Sequence, residues 1–174
     1  MNTINSIIQL REELKKNKGA GKTLGFVPTM GFLHQGHLRL VEQCKAENEV
    51  TVVSIFVNPL QFGPQEDFSR YPRDLEADER MLRELGVDVV FYPAVQEMYP
   101  GGFSTYVDIG KLGKVLCGKS RPTHFQGVAT VVLKLLNIVS PTCAYFGQKD
   151  AQQAIIIKKM VKDLNLEVSI KTLP

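Results

Sequence analysis

The stretch Thr23–Leu40, TLGFVPTMGFLHQGHLRL, decides how the rest of the chain is organised. Thr23 to Val27 is small, β-branched and aromatic, and reads as a short buried strand. Pro28 removes a donor and helps stop that strand. Gly31 gives the backbone freedom to turn, and a helix is expected to begin near Gly36. His34 and His37 fall at this turn, separated by Gln35 and Gly36. A helix opening at Gly36 puts both imidazoles beside its first free N–H groups, at the positive end of the macrodipole. Backbone donors and two rings can then converge on phosphate oxygens, and Gly36 leaves close approach open. Spacing alone also allows ordinary polar surface. A structural metal site has less support: the Glu of HExxH is missing, His124 is distant, and no Cys is grouped nearby.

Working outward, Thr3 to Lys16 reads as an amphipathic helix with Ile4, Ile7, Ile8 and Leu14 on one face, joined by Lys18–Lys22 to the first strand. Leu38, Val41 and Cys44 make a helical stripe after the His turn. Val50 to Val57, VTVVSIFV, is almost wholly apolar, as expected of a central parallel strand covered on both faces. Asn58 to Arg73 breaks the periodicity with three prolines and a glycine, and places Asn58 and Gln61 at a strand end, where ligands of open α/β sheets collect. Asp74–Leu85 is the next helix and Val87–Tyr92 the third strand. Pro93 to Thr123 has turn signals, a candidate short strand in STYVDIG and a basic, glycine-containing run, compatible with a flap or a subunit contact. Gly127 to Val139 carries Val128, Val131, Val132, Leu135, Leu136 and Val139 at helical spacing, ended by Pro141. Thr142–Phe146 is the fourth strand, Gly147–Asp150 a second strand–helix turn, Ala151–Leu164 a helix with Asp150 as N-cap, and Leu166–Lys171 the fifth strand. Strands and helices alternate throughout, so the expected fold is one α/β domain, a doubly wound parallel five-stranded sheet with helices on both faces.

Composition is consistent with this. At 174 residues, 44% hydrophobic and 22% charged, the chain suits a globular domain with a substantial core. A net charge of +3 without a Lys/Arg run argues against a nucleic-acid surface but is compatible with small anionic ligands. Three widely spaced cysteines point to a reducing, cytoplasmic compartment, and no signal-peptide pattern or membrane-length apolar run is present.

Three strand ends thus offer ligand groups on one rim: His34 and His37, Asn58 and Gln61, and Gly147-Gln148-Lys149-Asp150. Lys149 supplies a cation for phosphate, Gly147 permits close backbone approach, and Gln153 projects from the first turn of the next helix.

With those residues in view, the sequence resembles the pantothenate synthetase (pantoate–β-alanine ligase) family. PTMGFLHQGHLRLV, SIFVNPLQFGPQEDFSRYPRD, SRPTHFQGVATVV and YFGQKDAQQ match its motifs in order and spacing over essentially the whole chain. HxGH belongs to a wider nucleotidyltransferase superfamily, whereas VNPLQF and FGxKDxQQ narrow it. The resemblance implies a Rossmann-like nucleotide-binding domain and an ATP- and Mg²⁺-dependent ligation of (R)-pantoate to β-alanine. Pantothenate, AMP and pyrophosphate are the implied products and pantoyl adenylate the implied intermediate. Met30, Gly31, Phe32, Leu33, His34, Gln35, Gly36 and His37 would line the ATP site, with His34, His37 and Lys149 acting on the phosphates. His37 matches the residue usually labelled the proton donor. Gly147, Gln148, Lys149 and Asp150 would hold the nucleotide. Gln61 and Gln153 would hold pantoate in a pocket shaped by Asn58, and Asp78 aligns with a carboxylate associated with Mg²⁺. Arg121 and His124 match family positions without a defined role, and no residue stands out as the β-alanine anchor. A homodimer is the implied assembly.

These residue types suit the chemistry. Neutral amides orient a carboxylate nucleophile without the charge pairing an Arg would impose. A departing pyrophosphate calls for His, Lys, Mg²⁺ and helix N-termini. Relatives are expected to continue into a C-terminal region that opens with a Ser-Ser-Arg-Asn type segment completing the phosphate site. The chain given stops at Pro174, so it is expected to be the N-terminal domain with poor turnover. The rival expectations are another HxGH nucleotidyltransferase with a phosphate acceptor, and a noncatalytic nucleotide-binding domain.

Overall fold

The computed structural model describes residues 1–63, 66 and 68–174; Pro64, Gln65 and Asp67 of the loop expected over 58–73 lie outside the described residues. The elements run β1 (Asn2–Ile4), α1 (Ile7–Gly19), β2 (Leu24–Thr29), α2 (Gln35–Glu47), β3 (Val50–Ile55), α3 (Leu75–Glu84), β4 (Val89–Phe91), α4 (Val95–Met98), α5 (Cys117–Ser120), α6 (His124–Val139), β5 (Cys143–Gly147), α7 (Ala151–Asp163) and β6 (Ser169–Leu173). Short 3₁₀ turns occupy Pro59–Gln61, Phe68–Arg70, Gly110–Lys114 and Gln148–Asp150.

The strands form one parallel sheet in the order β1-β4-β3-β2-β5-β6. Alternating side chains on each strand feed two cores. Leu24, Phe26, Val50 and Val52 pack with Leu10 and Leu14 of α1, Val128 and Val132 of α6, and Ile157 and Met160 of α7. Val27, Val53 and Ile55 face the opposite way, toward Leu40, Val41 and Cys44 of α2 and Leu82 of α3. Helices therefore cover both faces, and all six residues of β3 are buried, as its unbroken apolar run requires.

The sheet has six strands rather than the five expected. The additional one, Asn2–Ile4, overlaps the start of the expected helix Thr3–Lys16, which actually spans Ile7–Gly19. β1 is a three-residue edge strand with one apolar side chain, and its order comes from β4: Asn2 N–H donates to Asp88 O at 2.9 Å and Tyr92 N–H to Ile4 O at 2.9 Å. Ser6 is then the extended N-cap residue, and Ile8 is turned out to solvent at 70% exposure instead of joining the buried face. STYVDIG holds no strand; its backbone is pinned instead by Val107 N–H donating to Thr130 Oγ1 of α6 at 3.0 Å. The basic run that follows is fastened to α7, where Gln152 Nε2 donates to the carbonyls of Leu112 and Val115 and its Oε1 accepts from Cys117 N–H.

Candidate active site

Strand order reverses direction between β2 and β5, so the loops leaving their C-terminal ends diverge and open a cleft. Its volume is about 380 Å³, and Met30, His34, Gly36, His37, Asn58, Gln61, Gly147, Lys149, Asp150 and Gln153 all line it. Three sequence-separated clusters thus meet on one rim. Gly31, Phe32, Leu33, Gln35, Gln148 and Asp78 do not line this cleft.

The first cluster is built by a cap. His34 is the extended N-cap of α2, which begins at Gln35. His34 Nδ1 accepts from Gly36 N–H at 3.1 Å, and His34 N–H donates to His37 Nδ1 at 3.4 Å. The rings lie 4.1 Å apart. Because each Nδ1 accepts, each ring carries its proton on Nε2, away from the helix backbone. Burial, then the neighbouring His34, pushes the His37 pKa down to about 4, against a smaller opposing effect of Asp150. His37 is therefore a neutral N–H donor near pH 7.

The Met30–Leu33 loop is held from behind. Asp78, buried on α3, accepts Phe32 N–H at 2.9 Å on Oδ2 and Leu33 N–H at 2.7 Å on Oδ1. Thr29 Oγ1 accepts Gly31 N–H and donates to Ser54 O, closing the turn against β3. Gly31 has φ +81°, and a Cβ there would sit 2.9 Å from both Asp78 Oδ2 and Ile55 Cγ2, so the turn needs glycine on both counts. Asp78 lines a separate cavity of about 340 Å³ on the other side of Met30 and Gly31.

The second cluster sits on the Pro59–Gln61 turn. Asn58, 1% exposed, donates from Nδ2 to Gly127 O at 3.1 Å and to Gln61 Oε1 at 3.2 Å. Gln61 Nε2 reaches Met30 Sδ at 2.9 Å. The turn is clasped from the far side by the two residues without an expected role. His124 Nδ1–H donates to Gln61 O at 2.9 Å, Arg121 Nη1 donates to His124 Nε2, and Arg121 forms an ion pair with Glu66. Burial is the main cause lowering the His124 pKa. Val128, Val131, Val132 and Leu135, which the sequence places at helical spacing, supply the apolar wall beside Gln61.

In the third cluster Lys149 and Asp150 are exposed at the rim. Asp150 occupies the N-cap position of α7, but its side chain makes no capping hydrogen bond. Asp78 as anchor, Tyr99 (whose hydroxyl donates to Asn58 Oδ1 at 2.8 Å) and Gly127 are the participants the sequence did not single out. Their partners are 41 to 69 residues away, beyond any local pattern.

Fold and cleft define a Rossmann-like α/β domain with a polar site at the switch point of its sheet. The chain belongs to the pantoate-beta-alanine ligase family, whose profile matches residues 2–174. It is 59% identical over 174 residues to the pantothenate synthetases of Caldicellulosiruptor saccharolyticus and Acetivibrio thermocellus, covering all of this chain and 62% of each relative. The crystal structure of pantothenate synthetase from Thermus thermophilus superposes with a TM-score of 0.95 at 51% identity, over all of this chain and 62% of that one. A pantoate-beta-alanine ligase from Francisella tularensis, solved in complex with "Beta-gamma ATP and Beta-alanine", superposes with a TM-score of 0.95 at 43% identity, over all of this chain and 67% of that one. The chain thus spans 62% of the length of the curated relatives it matches.

Proposed function

We propose that this chain is the nucleotide- and pantoate-binding domain of an enzyme that joins (R)-pantoate to β-alanine at the expense of ATP, through pantoyl adenylate. The observation that carries this reading is the meeting of two chemistries in one cleft. All of these line the cleft: the neutral amides of Gln61 and Gln153 with Val128, Val131 and Val132, which we assign to one side, and His34, His37 and Lys149, which we assign to the other. A branched hydroxy acid fits the first side, with its methyl groups on the valines and its carboxylate on amide N–H donors. Gln61 Nε2 spends a donor on the Met30 thioether, a weak acceptor that a carboxylate oxygen readily replaces. A triphosphate fits the second side, where imidazole N–H groups, an ammonium and the N-terminus of α2 converge.

In the first step a pantoate carboxylate oxygen bonds to the α-phosphorus while the bond from that phosphorus to the bridging oxygen breaks, releasing pyrophosphate. The amides hold the carboxylate oriented without pairing it to a cation, and Nε2–H of His34 and His37 takes up the charge developing on phosphate oxygens. With burial and His34 lowering its pKa to about 4 in the free chain, His37 meets the nucleotide as a neutral hydrogen-bond donor. In the second step the β-alanine amine attacks the acyl carbon and AMP leaves. Both oxygens of Asp78 are committed to the backbone of Phe32 and Leu33, and among the described residues no three His, Cys, Asp or Glu side chains gather for a metal. The described residues therefore offer no cage of their own for the Mg²⁺ that the resemblance implies.

Cytoplasmic location and homodimer assembly belong to the same reading. The free thiols of Cys44, Cys117 and Cys143 suit a reducing compartment, and among the described residues no helix is long and apolar enough to cross a membrane.

The test is calorimetric titration of pantoate into the chain with α,β-methylene-ATP and Mg²⁺ present, so that binding is read without turnover. Saturable binding that is lost in Gln61→Leu is expected. Intact binding in that variant, or pyrophosphate release from ATP with pantetheine phosphate but none with pantoate, would overturn the reading.

A further inference from the structure

The acid-binding amide of Gln61 does not orient itself. A glutamine amide has nearly the same shape either way round, yet only one orientation offers N–H to a carboxylate. The choice is made by a chain of hydrogen bonds in which most partners have a fixed sense. Gly127 O can only accept, so it takes Asn58 Nδ2. Leu60 N–H can only donate, and it approaches Asn58 Oδ1 at 3.3 Å. Asn58 therefore presents its remaining Nδ2 hydrogen to Gln61 Oε1, which leaves Gln61 Nε2 for Met30 and the cleft.

The shorter bond to Asn58 Oδ1 comes from outside this turn. Tyr99, at the end of α4, donates its hydroxyl to that oxygen at 2.8 Å. Burial raises the Tyr99 pKa, so the phenol stays protonated and remains a donor. Its ring is fixed independently, against Phe103 with centroids 4.8 Å apart and Phe56 at 6.0 Å. Resting on the function proposed above, we propose that Tyr99 is a positioning residue for pantoate: its hydroxyl locks Asn58, and through Asn58 the Gln61 amide, with the N–H side toward the substrate carboxylate. Tyr99 itself does not line the cleft. A segment whose sequence suggests only a flap or a contact surface thus sets the acid pocket.

Tyr99→Phe removes the hydroxyl and keeps the ring in its aromatic cluster. Pantoate affinity, read by calorimetry with α,β-methylene-ATP, is expected to fall roughly five- to tenfold, the scale of one lost buried hydrogen bond. Nucleotide affinity is expected to stay unchanged, and the side-chain amide resonances of Gln61 to broaden or shift. Gln61→Ala is expected to weaken pantoate binding by at least as much, and adding Tyr99→Phe to it should do nothing further, because the amide being positioned is gone. Unchanged pantoate affinity in Tyr99→Phe, equal losses for pantoate and nucleotide, or additive losses in the double variant would each overturn the proposal while leaving the acid pocket at Gln61 standing. Unchanged affinity in Gln61→Ala would remove the acid pocket itself, and the positioning role with it.

Discussion

Gly127→Ala separates the packing of the site from its chemistry. A Cβ built at Gly127 would lie 2.7 Å from Gln61 N and nearer still to the Leu60 carbonyl, whereas ordinary contact begins near 3.4 Å. The obstructing atoms are backbone, so no side chain can swing away. Either α6 or the Pro59–Gln61 turn must shift by about 1 Å or more to restore ordinary contact, because the Leu60 carbonyl sets the limit. In an unobstructed helix the change would stabilise by about 1 kcal/mol through helix propensity. Overpacking costs typically about 1–3 kcal/mol, and here the Asn58–Gly127 bond is disturbed as well. The expected balance is a loss of about 1–2 kcal/mol, or roughly 2–8 °C in a domain of this size. The larger consequence is at the cleft, because displacement of an orienting group by about 1 Å can cost on the order of a hundredfold. Thermal unfolding and pantoate calorimetry measure the two effects, with Gly19→Ala as a control: that helix residue has open space around its would-be Cβ. The reasoning is refuted if Gly127→Ala melts at or above the parent and binds pantoate equally well.

Two further outcomes are expected. Asp78→Asn keeps the shape but replaces one of two acceptors with a donor, so Phe32 or Leu33 loses its partner. Stability should drop by about 2 kcal/mol in urea unfolding, amide exchange should quicken at those two residues, and protected amides would contradict the anchoring role. Because the folded pKa of His37 lies near 4, below its ordinary 6.5, the unfolded chain binds more protons between those values. Stability contributed by the neutral ring is present above pH 6.5 and is lost as pH falls toward 4. His37→Gln should therefore lose less stability than the parent between pH 7 and 5, and parallel thermal profiles would count against a depressed pKa.

What sequence makes legible here is what local physics specifies. The run Val50–Val57 reads as a strand covered on both faces, and its first six residues, Val50–Ile55, lie at the sheet centre, all buried. Parallel pairing sends the C-terminal ends of β2, β3 and β5 to one rim, which is why residues around positions 34, 58 and 149 can be grouped from sequence alone. β1 is not legible because an edge strand of three residues draws its order from the partner, and the isoleucine pattern beside it imitates a helix face. The same limit explains Asp78. On α3 it reads as an ordinary helical carboxylate, and only the approach of a loop 45 residues earlier shows that both its oxygens are used.

The histidine pair shows why residue types alone do not settle chemistry. Two histidines three apart are equally compatible with metal ligation, acid–base work or phosphate contact. Their order along the helix start decides among these, because a ring at the N-cap can take Gly36 N–H and a ring at the third helical position can receive His34 N–H. Those bonds occupy both Nδ1 atoms and leave Nε2–H groups directed away from the backbone. Neither ring can then ligate a metal through Nδ1 without uncapping α2. His37, half-buried beside a second imidazole, also resists protonation. What survives is a pair of fixed N–H donors at a helix N-terminus, suited to a polyanion whose charge grows during reaction. Departing pyrophosphate is such a group, and as a stable anion it needs hydrogen bonds more than it needs a proton.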